Sequence, residues 1–149
     1  SIDVSSGTIE ARYIIIATGS YPLELVRTDK DKVFFAEDIF SFTRIGNKFL
    51  IVGAGAVGLE VACLLNNLGR DVLVIEKENR ILPHFDASLS RRLKIILEKK
   101  GIKIKLGEDV SSYDVKTFDT VLLSAGRKPN VESLGIDGIG LVHNGGWIV

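Results

Sequence analysis

Three glycines in the stretch FLIVGAGAVGLE, Gly53, Gly55 and Gly58, stand between an apolar run of strand length and an apolar segment of helical period. Gly-x-Gly-x-x-Gly is a weak signal alone, because glycine is common in turns. Here Glu76 strengthens it, since it ends the next apolar run 18 positions after Gly58. Strand, glycine turn, helix, strand and terminal acid make up the arrangement that binds a dinucleotide. Gly53 would allow the tight turn, Gly55 would let the backbone approach a pyrophosphate, and Gly58 would let helix and strand pack closely. Along the same backbone, Ala54, Ala56 and Val57 would present N–H groups, with the positive end of the helix dipole behind them, to the phosphates. Glu76 would accept hydrogen bonds from the ribose of the adenosine half, which favours NAD(H) over a cofactor with a phosphate at that place.

The other chemistry-bearing residues point to less. Glu60 is expected in the first helical turn, where a carboxylate is favoured by the dipole alone, so a structural and a functional role are equally open on composition. His84 and His143 lack partners at metal-ligand spacing and read as surface or loop residues; no metal site is expected. The single cysteine, Cys63, excludes an internal disulfide and reads as a small buried residue on a helix, consistent with a reducing, cytoplasmic setting. No residue set in the chain is assigned a catalytic role. Lys plus Arg and Asp plus Glu balance at 19 each, so no net field draws the chain to nucleic acid or an anionic membrane. Phe49 to Leu65 is mostly apolar, but three glycines and Glu60 interrupt it, so a buried strand and helix are expected rather than a membrane span.

These residues require a scaffold, and 149 residues suffice for about one domain. KFLIVG from Lys48 reads as a strand covered on both faces. Val61, Leu64, Leu65 and Leu68 form a helical stripe that Gly69 would close. DVLVIE is a second strand. Asp86 can cap a second helix, whose Leu89, Leu93, Ile96 and Leu97 share a face and which Gly101 ends. IKIKL is a half-exposed strand and TVLLSAG, from Thr120 to Gly126, a buried one. In the N-terminal flank, Tyr13 to Ala17 is expected to be a short strand and residues 20–42 an irregular connector with a helical turn near Glu37. After Gly126 a loop with a short terminal strand is expected. The fold class is therefore α/β, a Rossmann-like doubly wound, mostly parallel sheet with helices on both faces, its core at about residues 46–126 of a single 1–149 domain. The N-terminus carries no signal-peptide pattern and does not begin with Met, which suggests a piece of a longer chain.

The segments IIIATGSYP, FLIVGAGAVGLEVACLLNNLG, VLVIEKENRILPHFDASLSRRLKIILEKKGIKI and DTVLLSAGRKPN occur in the order seen in flavoprotein disulfide reductases of the dihydrolipoamide dehydrogenase and glutathione reductase type. The chain resembles the NAD-binding domain of that family from about Arg12 to Asn130. The resemblance implies that residues 1–45 and 127–149 are flanks joining this domain to a flavin domain. It places Thr18, Gly19 and Ser20 in the loop near the flavin, and Gly53, Gly55, Gly58, Glu76, Val110 and Gly126 along the dinucleotide. It also aligns Glu60 with a glutamate reaching toward the nicotinamide ribose and ring.

In the parent enzyme the resemblance implies FAD as second cofactor, a homodimer, and hydride passing between nicotinamide and flavin. GRKPN favours the lipoamide and glutathione branch. The family's redox cysteine pair, its flavin glycine fingerprint, its Gly-Asp flavin motif and its His-Glu pair are missing from this sequence, so the segment alone is expected to bind NAD(H) without turnover. Two other readings stay open: a stand-alone NAD(H)-binding or sensing module, and a ferredoxin reductase or NADH oxidase-type flavoprotein. Gly107 to Asp119 is shorter than the family's antiparallel meander, with room for at most a short hairpin, because 13 residues at ~3.3 Å each cannot supply three strands of ~5 residues and their turns.

Overall fold

A computed structural model of the chain describes residues 1–26, 32–41 and 46–149. In chain order its strands are β1 (Ile2–Val4), β2 (Gly7–Ile9), β3 (Ser20–Pro22), β4 (Val33–Phe35), β5 (Lys48–Val52), β6 (Asp71–Glu76), β7 (Lys103–Leu106), β8 (Thr120–Leu123), β9 (Arg127–Pro129), β10 (His143–Asn144) and β11 (Trp147–Ile148). Among the described residues two α-helices, α1 (Ala56–Asn67) and α2 (Ala87–Lys99), follow β5 and β6. The chain divides into two units, residues 22–128 and residues 1–21 with 129–149.

The larger unit is built on a five-stranded sheet in the order β4-β8-β5-β6-β7, with every described pairing parallel. Its central strand reads as an unbroken apolar run because both faces are covered. Phe49 and Ile51 join one core with Leu59, Ala62 and Leu65 of α1 and Leu97 of α2. Leu50 and Val52 point the other way, into a second core with Val110, Phe118 and the half-buried Tyr113 and Val115. The doubly wound α/β expectation therefore holds, with a difference on this second face. Single 3₁₀ turns at Val110–Ser112 and Val115–Thr117 cover it in place of long helices. The segment from Gly107 to Asp119 forms no strand; Asp109 and Asp114 each accept a backbone N–H two residues on, a local bond that competes with strand pairing.

Other expectations need correcting. Residues 33–35, read as connector, form β4 and pair with β8, from Val33 with Val121 to Phe35 with Leu123. The helical turn near Glu37 is present as a 3₁₀ turn, Ala36–Ser41, while residues 27–31 and 42–45 of the connector lie outside the described residues. Half of the expected α1 stripe is exposed: Val61 and Leu65 are buried, Leu64 and Leu68 are not. Small residues complete the buried face, namely Gly58 and Ala62. Helix α2 begins as expected, with Asp86 Oδ1 accepting N–H bonds from Ser88 and Leu89. This capping is worth about 1 kcal/mol.

The smaller unit contains two short antiparallel pairs, β1 with β2 and β10 with β11. Tyr13 to Ala17 is not a strand. With no neighbour to pair with among the described residues, it leaves Tyr13 79% and Ile15 90% exposed. In the same unit His143 Nε2 lies 2.7 Å from Asp137 Oδ1. Among the described residues no helix is long and apolar enough to cross a membrane.

Candidate functional site

Within the larger unit the chain reverses its course across the sheet between β5 and β8. The crossovers through α1 and α2 carry it from β5 to β6 and β7, whereas β8 and β4 lie on the other side. Loops beyond the carboxyl ends of the two strands diverge at such a point and leave a crevice. Here Gly53 and Gly55 follow β5, Ser124 to Gly126 follow β8, and together they line a cleft of about 450 Å³. That volume lies in the range of cofactor pockets. Lys77, Glu78, Pro83 and His84 beyond β6, and Glu108, Asp109 and Val110 beyond β7, complete its walls. A second cleft of about 300 Å³ shares Gly55, Ser124 and Gly126 with the first and adds Ala56 and Val57. The glycine loop thus stands between two adjoining clefts.

The three glycines differ in what the fold demands of them. Gly53 has φ +108°, and a β-carbon there would lie 2.5 Å from the Ser124 carbonyl oxygen. A β-carbon on Gly58 would meet the Gly53 carbonyl oxygen at 2.2 Å. Gly55 differs: its backbone is ordinary, φ −73° and ψ 179°, and a β-carbon would face open space. Nothing in the protein requires a glycine there, and the absent side chain leaves the backbone open to close approach. Gly55 is also the N-cap of α1, and no side chain caps that end. Its leading N–H groups, without intrahelical acceptors, are therefore suited to a phosphate.

Glu76 is placed at the end of β6 beside this loop. Its Oε2 accepts the Ala54 N–H at 2.7 Å and its Oε1 the Glu78 N–H at 3.0 Å. A carboxylate oxygen accepts two bonds, so lone pairs remain for a ribose in the cleft that Glu76 lines. Lys77 lines the cleft too, whereas the Arg80 guanidinium donates to the Pro83 carbonyl.

Of the residues predicted from sequence, Gly53, Gly55, Glu76, Val110 and Gly126 line the first cleft, and Gly55, Ala56, Val57 and Gly126 the second. Ala54 is buried within the loop and, contrary to expectation, its N–H is taken by Glu76 rather than turned to a ligand, and Gly58 is buried in the first turn of α1. Glu60 falls in the second turn of α1, not the first, and is exposed. It lines a separate apolar groove with Leu59, the half-buried Cys63, Leu82, Phe85, Leu93 and Leu97. Thr18, Gly19 and Ser20 belong to the smaller unit, where the Gly19 carbonyl accepts the Asn130 N–H at 3.0 Å. Sequence reasoning missed His84, Pro83, Glu108 and Ser124 as cleft residues. Position at the carboxyl end of a strand next to the glycine loop was the available signal for Ser124. Among the described residues no cluster of His, Cys, Asp and Glu is suited to a metal ion.

The family model described as pyridine nucleotide-disulphide oxidoreductase matches residues 2–149. Dihydrolipoyl dehydrogenase of Buchnera aphidicola is 32% identical over 92% of this chain and 33% of its own length. Leghemoglobin reductase of Vigna unguiculata is 34% identical over 95% of this chain and 31% of its own. Increased recombination centers protein 15 of Saccharomyces cerevisiae is 32% identical over 89% and 31%. The chain spans about a third of the length of these curated relatives. Among solved structures, LpdA from Mycobacterium tuberculosis superposes with a TM-score of 0.76 at 18% identity, covering 97% of this chain and 36% of that one. The water-forming NADH oxidase from Lactobacillus brevis bound to NADH has a TM-score of 0.67 at 22% identity, over 85% and 32%. These two likenesses concern the fold. With nearly its whole length matched by the family model and its cleft at the switch point of the sheet, the chain belongs to the pyridine nucleotide-disulphide oxidoreductase family.

Proposed function

We propose that this segment is the NAD(H)-binding part of an FAD-dependent, NAD-linked disulfide oxidoreductase of the dihydrolipoamide dehydrogenase kind. The observation that carries the reading is Gly55, a glycine with ordinary backbone and open space at its β-carbon position, set at an uncapped helix N-terminus. The residues fit the cofactor. The backbone at the start of α1, from Gly55 through Ala56 and Val57, receives the pyrophosphate, while Gly53, Ala54 and Gly58 hold the loop in shape behind it; Glu76 accepts from the adenosine ribose; Val110 and Gly126 close the sides. Glu60 is assigned to the nicotinamide half on its motif position, and Thr18, Gly19 and Ser20 to the neighbourhood of the flavin. The names of the relatives, dihydrolipoyl dehydrogenase and leghemoglobin reductase, support the oxidoreductase reading.

The nicotinamide ring of the bound dinucleotide would donate a hydride when reduced and accept one when oxidised. The residues present here bind and orient the dinucleotide, and none is assigned a catalytic role. FAD is proposed for the whole protein, together with a flavin domain and a homodimer. The chain's Gly-x-Gly-x-x-Gly loop is taken by NAD(H), and its sequence contains no second one for the ADP of a flavin.

Glu76 decides cofactor choice. Charge-assisted hydrogen bonds to ribose hydroxyls contribute about 1.5–3 kcal/mol each. A 2′-phosphate would instead meet the carboxylate at a cost of ~1 kcal/mol per pair of unit charges at 4 Å in water and ~4 at a partly buried site. The resulting preference for NADH over NADPH is roughly ten- to a thousandfold. Titration of the chain with both nucleotides at fixed ionic strength, repeated on Glu76→Arg, tests this. Equal affinities in the unaltered chain, or an undiminished preference in the variant, would remove the cofactor assignment's main support.

A further inference from the structure

Among the described residues Leu82 is the only non-glycine with a positive φ, at 47°. A left-handed backbone is unfavourable for a residue with a β-carbon, so something must hold it there. Two groups do. The Leu82 side chain is 7% exposed and packs in the core beside Ile81, Leu59 and Leu97. Its N–H donates to the Ala54 carbonyl at 2.9 Å.

Ala54 lies between Gly53 and Gly55. Its own N–H goes to Glu76 Oε2 at 2.7 Å, so its peptide groups are held on one side by the end of β6 and on the other by Leu82. The Leu82 carbonyl is held in turn. It accepts the Phe85 N–H at 2.9 Å, and the Ser90 hydroxyl, buried at the start of α2, lies 3.4 Å from it and 3.1 Å from the Asp86 carbonyl. The left-handed turn places Ile81 and Leu82 in the core while Pro83 and His84, the next two residues, line the cleft.

We infer that Leu82 is a positioning residue for the dinucleotide: its left-handed turn fastens the cleft wall of residues 77–84 to the glycine loop and so sets the width of the cleft. The inference rests on the dinucleotide reading of that cleft. The core packing of the side chain offsets the unfavourable backbone, and the backbone in turn fixes the wall.

Two substitutions in the whole chain separate packing from backbone. Leu82→Ala removes the anchor and keeps the unfavourable turn, so the wall leaves its bound position for much of the time and the NADH dissociation constant rises about tenfold. Leu82→Gly removes the same anchor but makes the turn free of steric cost, and its dissociation constant stays within about threefold of wild type. Thermal midpoints fall in both variants, so a purely structural role would weaken both alike. Equal affinities for the Ala and Gly variants overturn the inference while leaving the NAD(H) reading intact; a wild-type chain that does not bind NADH overturns both. Should the variants fail to fold, amide exchange on the wild-type chain decides. Exchange at the Leu82 N–H slower than at Asn79, and slowed further by NADH, supports the latch, and exchange as fast as Asn79 or indifferent to NADH overturns it.

Discussion

Alanine at Gly55 and at Gly58 should have opposite consequences, although both glycines belong to one motif. At Gly58 the new β-carbon would lie 2.2 Å from the Gly53 carbonyl oxygen and 3.2 Å from Ser124 Oγ. Backbone cannot yield as a side chain can, so an overpacking cost of about 1–3 kcal/mol or more is expected, less the ~1 kcal/mol by which alanine exceeds glycine in a helix. At Gly55 the β-carbon meets nothing and the backbone suits any residue. Reduced freedom of the unfolded chain favours alanine there by about 0.4–1 kcal/mol, and the poorer N-cap opposes it by a similar amount. Gly55→Ala should therefore unfold within about 4 °C of wild type. A methyl group between the backbone and a phosphate displaces the ligand, and a loss of only ~1.4 kcal/mol is already tenfold in affinity. Thermal unfolding beside NADH titration by nicotinamide fluorescence reads both effects. A Gly55→Ala chain that is stable and binds NADH like wild type would refute the close approach, and with it the reason given for that glycine.

Further outcomes follow from the same structure. Ile51→Ala, at a fully buried position of the central strand, should cost about 2–5 kcal/mol by chemical denaturation; a loss under 1 would mean that the helix-side core is not organised around β5. The Asp119 carboxylate is held below the usual range, first by the Lys48 N–H and then by the Asn47 N–H. A depressed folded pKa gives stability that is present above the unfolded value, near 4, and lost as pH falls through the folded one. Asp119→Asn should thus be less stable than wild type at pH 7, with the two stability curves converging below about pH 4, and parallel curves would contradict the clamp. The purified chain should carry no stoichiometric flavin, which its absorbance spectrum tests; one flavin per chain would reassign the glycine loop.

What could be read from sequence was local. The runs at 48–52 and 71–76, the Asp86 cap and the glycine loop each carry their signal within a few residues, and the structure places them as read, while the strand read over Thr120 to Gly126 stops at Leu123. Val33–Phe35 was not legible because three apolar residues in a charged stretch become a strand only by pairing with β8, far along the chain. Tyr13 to Ala17 failed for the converse reason: its composition suits a strand, but strand formation needs a neighbour. The α1 stripe was misread because Gly58 and Ala62 pack by being small, which an apolar period does not register. His84 and Pro83 were hidden by Leu82, since leucine is not a residue from which a left-handed turn is expected.

In the proposed complex a dinucleotide lies across the glycine loop between the two clefts. Amide chemical shifts of the isotopically labelled chain, followed during NADH titration, test it most directly. Saturable shifts are expected at Gly55, Ala56 and Val57, with companions at Glu76, Val110 and Gly126. Shifts absent from these amides, or confined to the apolar groove of Cys63 and Phe85, would contradict it.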